Sequence, residues 1–240
     1  MLKLGSDHAS LVDAASRPMS LCGKTFMADV SGALYWPAEK ALIVADLHLE
    51  KASSVAHRGF HLPPYDTRET LMKLAEAIER FAPALVIALG DSLHDKGAAD
   101  RIAPEDLAAL KILQEDRRWL WITGNHDPEI APQLGGEVSD VLALNGLTLR
   151  HAPHAARTTH EIAGHLHPCA RVSMYGHTIR RPCFVGNGRR LILPAFGALT
   201  GGLNVLDEAF SPLFGDEGLH VTVLGQEGIY PIATRLLRPE

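Results

Sequence analysis

The sequence predicts an α/β fold in which two β-sheets pack against each other and helices cover the outside. Three observations support this class. The first half alternates strand and helix patterns in a βαβαβ order, the second half is a series of short strand patterns separated by turns, and no linker-like segment divides the halves. We therefore expect residues 21–240 to form a single domain, and residues 1–20, which show no clean periodicity, to be a flexible N-terminal tail.

The length and composition are those of a globular protein. The chain has 240 residues, of which 46% are hydrophobic and 21% are charged, so it can bury a core without disulfides. Its longest apolar runs are far shorter than the ~20 residues that a membrane-spanning helix needs. The first residues lack the apolar stretch of a secretory signal, and three cysteines without a CxxC pair suit a reducing compartment. These features predict a cytoplasmic protein with no membrane segment.

The first predicted elements are a hairpin and a buried strand. Residues 25–30 and 33–36 are strand-like and flank a Ser-Gly turn. The apolar run at 41–45 indicates a strand that is buried on both faces and ends at Asp46. Residues 51–65 contain a glycine and two prolines, which predicts a loop.

Helical patterns follow the loop. Asp66 is placed to cap a helix over 66–81, and Glu69 completes a capping box. A second helix is predicted to open at Pro104, because proline is favoured in the first turn. The other strand patterns lie at 85–89, 119–123, 139–144, 147–151, 160–163, 170–175, 182–185, 190–194, 203–206 and 220–224.

Charge is distributed unevenly along the chain. The formal net charge is −5, which argues against a general affinity for nucleic acid. Residues 150–200 nevertheless contain seven arginines and a single acidic residue, Glu161. Such a segment can bind a polyanion, or it can be a solvated sheet face whose ion pairs lie on neighbouring segments. The sequence leaves both interpretations open.

Histidine is abundant, with 13 residues, and several histidines stand next to carboxylates at predicted strand ends. Three strands of the first half end in polar groups, and sites in open α/β sheets lie beyond the carboxyl ends of the strands. The second half adds His151 and a Gly-His-x-His motif. The resulting series is Asp46-x-His48, Gly90-Asp91, Gly124-Asn125-His126-Asp127, His151 and Gly164-His165-x-His167.

All these groups are oxygen or nitrogen donors, and none is a thiolate. Such a donor set suits a hard or borderline divalent cation such as Mn²⁺ or Fe²⁺, with Zn²⁺ also acceptable. Asp46 and His48 lie two residues apart, so in an extended segment both side chains face the same way and can hold one ion. Asp-x-His, Gly-Asp and Gly-His-x-His are weak or only moderately specific by themselves, Gly-Asn-His-Asp is more specific, and the ordered set carries the metal-site prediction.

The motif series resembles that of the calcineurin-like binuclear metallophosphoesterases over about residues 41–170. The resemblance implies an αββα sandwich of two mixed sheets flanked by helices. It also implies two divalent metal ions, most often Mn²⁺, and a metal-bridging hydroxide as the nucleophile. The implied ligands are Asp46, His48 and His167 for the first ion, Asp91 as the bridge, and Asn125, His151 and His165 for the second.

His126 has a different implied role. The resemblance implies that His126 does not bind a metal but faces the phosphate, and that Asp127 orients the His126 ring. An imidazolium at this position can stabilise developing negative charge or protonate the leaving oxygen, which contributes ~10²–10⁴ in rate.

A more specific resemblance covers about residues 31–206. Strings such as WITGNHDP, EIAGHLHP and LPAFGALTGGL look like the bacterial ligase-associated DNA damage response endonucleases, the PdeM group. That resemblance implies a manganese-dependent DNA endonuclease acting in DNA repair, with single-stranded DNA as the expected substrate. It also implies a functional link to an ATP-dependent DNA ligase, a helicase and an exonuclease.

Residues outside the ligand motifs are candidates for substrate contacts. His94 lies three residues after Asp91, and the others are arginines near the motifs or in the arginine-rich segment. These candidates are His94, Arg58, Arg150, Arg180 and Arg181. A second Gly-His dipeptide ends at His177, which we expect to be a surface or strand residue rather than a ligand.

The sequence therefore predicts a metal-dependent phosphodiesterase, in the first place a DNA endonuclease. An enzyme of the same fold that hydrolyses nucleotides or small esters is the alternative, because the metal centre would be the same and only its surroundings would differ. A catalytically silent scaffold is disfavoured, because Asp46, Asp91, Asn125, His126 and His167 are all present. The oligomeric state is left open.

Overall fold

A computed structural model describes residues 15–56, 59, 62–156, 160–174, 176–214 and 218–240. Its first sheet has seven strands in the order β1 to β7. The strands up to β4 pair antiparallel, and β4 to β7 pair parallel. Their bounds are β1 (Ser16–Leu21), β2 (Lys24–Asp29), β3 (Leu34–Trp36), β4 (Ala41–Val44), β5 (Leu85–Leu89), β6 (Arg118–Ile122) and β7 (Glu137–Ser139).

The second sheet has nine strands and contains most of the chain after residue 140. The order along its main path is β14-β11-β12-β13-β10-β9-β8, and β15 and β16 extend it from β12. The bounds are β8 (Val141–Leu144), β9 (Leu147–Arg150), β10 (Glu161–Ala163), β11 (Pro168–Met174), β12 (His177–Gly186), β13 (Arg190–Ile192), β14 (Leu203–Asn204), β15 (His220–Leu224) and β16 (Ile229–Ile232). Both sheets are mixed, as the sequence resemblance implies.

Most helices follow strands of the first sheet. They are α1 (Lys51–Ala56), α2 (Asp66–Phe81), α3 (Ala98–Arg101) and α4 (Pro104–Gln114), and α5 (Ser211–Phe214) follows β14. Short 3₁₀ turns lie at Pro37–Glu39, Pro132–Leu134 and Thr234–Leu236. No helix in the described part of the chain combines the length and apolar character needed to cross a membrane.

The core consists of three apolar layers. Between the sheets, Ile43 and Ile87 of the first sheet belong to the same buried cluster as Leu149 and Phe184 of the second. A second cluster joins the other face of the first sheet to α2 and α4, and a third covers the outer face of the second sheet. The β4, β5 and β6 strands are buried on both faces, which explains their continuous apolar sequences.

The tail prediction is wrong at its C-terminal end. Residues 16–20 belong to β1, which pairs with β2 along its whole length, from Ser16 opposite Asp29 to Leu21 opposite Lys24. Only two of the six β1 residues are buried, so a period-2 pattern of apolar residues is hardly visible there. Residues 1–14 of the expected tail lie outside the described residues.

Two predictions around residue 60 also need correction. The expected loop at 51–65 begins with α1, a short helix without a recognisable capping signal. Asp66 is the first residue of α2 rather than its N-cap, and its Oδ2 accepts a hydrogen bond from the backbone N of Ala52. The carboxylate of Asp66 therefore joins two helices, and no side chain caps α2.

Candidate metal centre

The polar residues at the strand ends come together because β4, β5 and β6 are adjacent parallel strands. Asp46 follows β4, Asp91 follows β5 and Asn125 follows β6, so the three lie along one edge of the first sheet. The second sheet supplies His151, directly after β9, and the residues that follow β10. Both sheets thus contribute side chains to one site.

The backbone at this site is in an unusual conformation. Five of the candidate residues have positive φ angles between 45° and 71°, a region that residues other than glycine seldom adopt. Such residues cost about 1–3 kcal/mol each and occur preferentially at functional sites. The residues are Asp46, His48, Asp91, His165 and His167. The surrounding packing therefore holds these residues in an unfavourable backbone conformation, and this conformation sets where their side chains point.

Glycines permit the close approach of these segments. A Cβ on Gly124 would lie 2.2 Å from the backbone N of Asp91, and a Cβ on Gly164 would lie 2.6 Å from Oδ2 of Asp46. Neither contact is sterically possible for a larger residue. The glycines of the Gly-Asn-His-Asp and Gly-His-x-His motifs are thus required by the packing of one ligand-bearing loop on another.

The first cluster consists of Asp46, His48 and His167, whose donor atoms lie within 4.8 Å of one another. Nε2 of His48 is 3.2 Å from Nε2 of His167, and Nε2 of His167 is 3.3 Å from Oδ1 of Asp46. Asp46 is fully buried, and His48 is 5% exposed. This cluster lies inside the protein, with His167 on its open side.

The second cluster consists of Asp91, His151 and His165. Nε2 of His151 is 3.4 Å from Oδ1 of Asp91 and 3.1 Å from Nδ1 of His165. Asn125 extends the cluster, since its Oδ1 lies 2.9 Å from Nε2 of His151. His165 and Asn125 are exposed, so the second cluster opens to solvent.

Two carboxylates connect the clusters. Oδ2 of Asp91 lies 3.9 Å from Nε2 of His48, while its other oxygen faces His151. Oδ1 of Asp46 lies 3.7 Å from Nδ1 of His151. The seven residues that the sequence analysis assigned as ligands are therefore one continuous group in the structure.

This group fits two divalent cations. Ligand atoms bound to one octahedral ion at ~2.1 Å lie about 3 Å apart at right angles, close to the 3.2 and 3.3 Å separations of the first cluster. Opposed imidazole nitrogens at 3.2 Å gain little from one another unless a proton or a cation lies between them. The donors are imidazole, carboxylate and amide, which suits Mn²⁺, Fe²⁺ or Zn²⁺.

The pKa values of the cluster residues follow from burial and mutual proximity. Burial and the neighbouring His167 lower the pKa of His48 to about 3, so this imidazole is neutral and able to ligate. Burial raises the pKa of Asp91, but the hydrogen bond and charge of His151 outweigh it and lower the value to about 2. For His151, Asp91 and Asp46 outweigh burial and raise the pKa to about 8. Asp91 is thus held as a carboxylate in any neutral solution.

His126 lies between the clusters without belonging to the ligand group. Its backbone N donates to Oδ1 of Asp91, and its ring Nδ1 is 2.7 Å from the carbonyl oxygen of His94. Because a carbonyl can only accept, Nδ1 carries a proton and Nε2 is the ring atom left for a reaction. Nε2 lies 3.9 Å from Oδ2 of Asp91, and 40% of the side chain is exposed.

The expectation that Asp127 orients His126 is wrong. Its carboxylate accepts four backbone hydrogen bonds, from Asp91 and Gly124 at Oδ1 and from Ser92 and Leu93 at Oδ2. Burial raises the pKa of Asp127 to about 6 in spite of these bonds. The carbonyl of His94 orients the His126 ring, and Asp127 instead fixes the loop that presents Asp91.

His94 contributes more than its backbone. Its ring stacks on that of His126, with centroids 5.2 Å apart and an interplanar angle of 21°, and its Nδ1 lies 3.4 Å from Nδ1 of His48. Donor atoms of His48, His94 and His126 form a third group within 4.8 Å. The sequence placed His94 near the site, but its contact with two motif histidines needed the structure.

The arginine candidates occupy different surroundings. Arg150 borders a cavity of about 490 Å³ with Asn125, His151 and His165, and its Nε lies 3.7 Å from Oε2 of Glu161. Arg180 and Arg181 border a cavity of about 170 Å³ beside His167. Arg58 lies outside the described residues.

One supporting segment was missed by the sequence analysis. Backbone N atoms of Phe196 and Gly197 donate to the carbonyls of Ala45 and Asp46, so residues 196–197 brace the first cluster. Nζ of Lys73, on α2, donates to the carbonyl of Phe196 at 2.9 Å. Phe196 and Gly197 fall within the string LPAFGALTGGL, but their supporting role is not visible in it, because their contacts use backbone atoms. The His177 prediction is consistent with the structure, which places it exposed at the start of β12.

Comparisons with known proteins agree with this picture. The family model of the calcineurin-like phosphoesterases matches residues 40–184. Among solved structures, the chain is similar to the nuclease MPE of Pseudomonas putida, with a TM-score of 0.69 and 28% identity over 90% of this chain and 100% of that one. A search of curated proteins finds no match.

Two further structures show weaker likeness. A phosphoesterase of E. coli, Yfce, has a TM-score of 0.41 and 14% identity over 80% of this chain and 98% of its own. The protein of unknown function AQ665 from Aquifex aeolicus has a TM-score of 0.38 and 18% identity over 53% and 78% of the two chains. Both are distant from this chain in structure and in sequence.

Proposed function

Because the chain belongs to the calcineurin-like phosphoesterase family, we propose that it is a binuclear metal-dependent phosphodiesterase that cleaves DNA internally. The observation that carries the proposal is the single group of seven donor residues in which Asp91 faces both clusters. One carboxylate oxygen is 3.4 Å from His151 and the other is 3.9 Å from His48. A carboxylate with its two oxygens turned toward different clusters suits a bridge between two cations.

Each residue has a role in this proposal. Asp46, His48 and His167 hold the first ion, Asp91 bridges, and Asn125, His151 and His165 hold the second. When bound, two such cations polarise the phosphoryl oxygens and lower the pKa of a water molecule. We propose Mn²⁺ as the metal, since the donor set has no thiolate and mixes carboxylate with imidazole.

His126 is the proposed acid. Its Nδ1–H donates to the carbonyl of His94, which leaves Nε2 for the reaction. In the imidazolium form of the ring, Nε2–H can give its proton to the leaving oxygen, and the ring is left neutral with its proton on Nδ1. Ring stacking on His94 restricts the His126 side chain to this orientation. The seven donor residues thus hold the cations, and His126 moves the proton.

The proposed substrate is DNA, in the first place single-stranded. The Pseudomonas putida protein of similar structure is named a nuclease. Cavities that contain Arg150 and Arg180 adjoin the second and the first cluster, so cationic side chains flank the centre. We place the reaction in cytoplasmic DNA repair, in functional association with an ATP-dependent DNA ligase, a helicase and an exonuclease, as the motif resemblance implies.

A side-by-side assay tests the proposal. Protein stripped of metal and reloaded with Mn²⁺ should cut circular single-stranded DNA and should also hydrolyse bis(4-nitrophenyl) phosphate, a minimal phosphodiester. Rapid turnover of a cyclic nucleotide with uncut DNA would favour the alternative, a nucleotide or small-ester phosphoesterase. No turnover of any phosphoester would leave only the catalytically silent scaffold.

The His126→Ala variant tests the mechanism within the same assay. We expect it to keep its metal content and to lose ~10²–10⁴ in kcat, because only proton transfer is removed. His220→Ala is the matched control, since His220 is an exposed residue of the second sheet away from the clusters. Loss of metal from the His126 variant would show that His126 is a ligand.

A further inference from the structure

A small cavity adjoins the first cluster on the side of His167. It has a volume of about 170 Å³, and its lining includes His167, Cys169, Arg180, Thr200 and Gly201. This cavity brings two arginines, Arg180 and Arg181, beside a residue of the first cluster. Its position makes it a possible binding place for a substrate group next to the one that reacts.

The backbone fixes Arg180 relative to the metal centre. Nη2 of Arg180 donates to the carbonyl of Gly202. Gly202 packs so closely on His167 that an added Cβ would lie 2.2 Å from the carbonyl oxygen of His167. The next residue, Leu203, donates its backbone N to the same oxygen at 3.1 Å. The guanidinium is therefore tied through one short segment to a ligand of the first cluster.

The second partner of Arg180 is a carboxylate on the surface. Nε of Arg180 lies 2.9 Å from Oε1 of Glu240, and the two side chains are 42% and 59% exposed. Ion pairs with this exposure are weak, because water solvates both groups when they separate. A phosphodiester carries the same single negative charge as Glu240 and offers the guanidinium two non-bridging oxygens, which its N–H fork can bind together. Glu240 can therefore be displaced by an incoming phosphate.

We infer that this cavity binds a phosphate that flanks the scissile phosphate of a polynucleotide, with Arg180 as its cation and Glu240 as the competing carboxylate. The inference rests on the proposed function and sharpens it. A mononucleotide or a small ester has no second phosphodiester to place beside His167. The site thus selects internal bonds of a nucleic acid strand over small substrates.

The neighbouring arginines are held differently. Arg171 lies opposite Arg180 in the β11–β12 pair, and its Nη1 donates to the carbonyl of Pro239. Arg181, opposite Ala170, also borders this cavity, and it lines a second cavity together with Ile179. Arg180 is the arginine whose guanidinium is bonded to the segment that packs on His167.

Substitution of Arg180 is the first test, with affinity for a fluorescent single-stranded oligonucleotide as the readout. Arg180→Gln should raise the Kd by about tenfold and reduce the salt dependence of binding by about one phosphate contact. Arg118→Gln is the matched control. Arg118 also forms an exposed pair, with Glu137 at 2.8 Å, but at the opposite end of β6 from the site. Equal weakening in both variants would overturn the inference, since it would show a general charge effect.

Substitution of Glu240 should change the affinity for the oligonucleotide in the opposite direction. Glu240→Gln should tighten oligonucleotide binding by about threefold, because it removes the competing carboxylate, and Glu137→Gln should change it less. The ratio of kcat/KM for the oligonucleotide to that for bis(4-nitrophenyl) phosphate should rise in the same variant and fall in Arg180→Gln. Tightening of the same size in both glutamate variants would contradict competition at Arg180.

The two proposals fail in different ways. If no phosphoester is hydrolysed while Arg180→Gln weakens oligonucleotide binding and Arg118→Gln does not, the proposed activity is wrong and the phosphate subsite stands. If DNA is cut but Arg180→Gln binds and cuts it like the Arg118→Gln control, the subsite is wrong and the activity stands.

Discussion

The two halves of the metal centre differ in burial and in how the fold supports them. The first cluster, with Asp46 and His48, is enclosed, and residues 196–197 brace it from behind. The second cluster exposes His165, and Asp127 holds its Asp91 loop by four backbone hydrogen bonds. If the proposed ions bind, we expect the enclosed first cluster to hold its ion more tightly than the solvent-exposed second cluster does.

Removal of the residue shared by both clusters should have the largest effect. Asp91→Ala deletes the carboxylate whose two oxygens lie 3.9 Å from Nε2 of His48 and 3.4 Å from Nε2 of His151. We expect the loss of at least one ion per chain and a fall in kcat of ~10²–10³ or more. Metal analysis after gel filtration, together with the phosphodiester assay, measures both. A variant that keeps both ions would show that the clusters are independent.

The burial difference predicts an order of metal release. His165→Ala should weaken the second ion by about 10–100-fold while the first ion stays bound, and chelator titration of the wild type should empty the second cluster first. His48→Ala should instead weaken the ion of the enclosed cluster.

His220→Ala, which removes an exposed histidine far from both clusters, controls for the loss of an imidazole. Simultaneous release of both ions in every variant would mean that the centre binds them as one cooperative unit. The enclosed cluster would then hold its ion no more tightly than the exposed cluster.

The sequence predicted which polar residues the fold brings together better than it predicted their supports. The capacity of a residue to bind a metal depends on its side-chain type, so Asp46, His48 and His167 are recognisable as candidates before any fold is known. Their contacts arise from strand order, because only the adjacency of β4, β5 and β6 places residues 46, 91 and 125 at one edge. Apolar runs predicted these three strands, since burial on both faces removes polar residues.

The supports were not predictable for a physical reason. The role that the resemblance implied for Asp127 was wrong because its carboxylate binds backbone N–H groups, which any residue provides. Residues 196–197 act through backbone atoms too. The β1 strand was missed because four of its six residues are not buried, which hides the alternating pattern.

The support of the second cluster is tested by Asp127→Asn. The substitution replaces one carboxylate oxygen with an NH₂ group, so the two backbone N–H groups that this oxygen satisfies lose their acceptor. We expect the free energy of unfolding to fall by about 1–3 kcal/mol and the affinity for the second ion to fall with it. Asp106→Asn, which weakens an ion pair with the half-exposed Arg68, should cost less.

Urea unfolding of the metal-free variants measures these differences. If Asp127→Asn is as stable as wild type and its kcat falls as in His126→Ala, Asp127 orients His126 after all.

The support of the first cluster has a smaller effect that depends on pH. Burial lowers the pKa of Lys73 to about 8, against the opposing charge of Asp29, while Nζ donates to the carbonyl of Phe196. The unfolded chain, with the ordinary lysine pKa of 10.5, therefore binds more protons between pH 8 and 10.5. Stability from this residue should rise with pH across that window.

Lys73→Met removes the titrating group and retains a flexible apolar side chain. The free energy of unfolding of the wild type, minus that of Lys73→Met, should increase by about 1–3 kcal/mol from pH 8 to 10.5. A difference that is flat with pH would show that the amine is solvated. The brace behind the first cluster would then owe its rigidity to the backbone hydrogen bonds of residues 196–197 alone, with no contribution from a side chain like that of Asp127 at the second cluster.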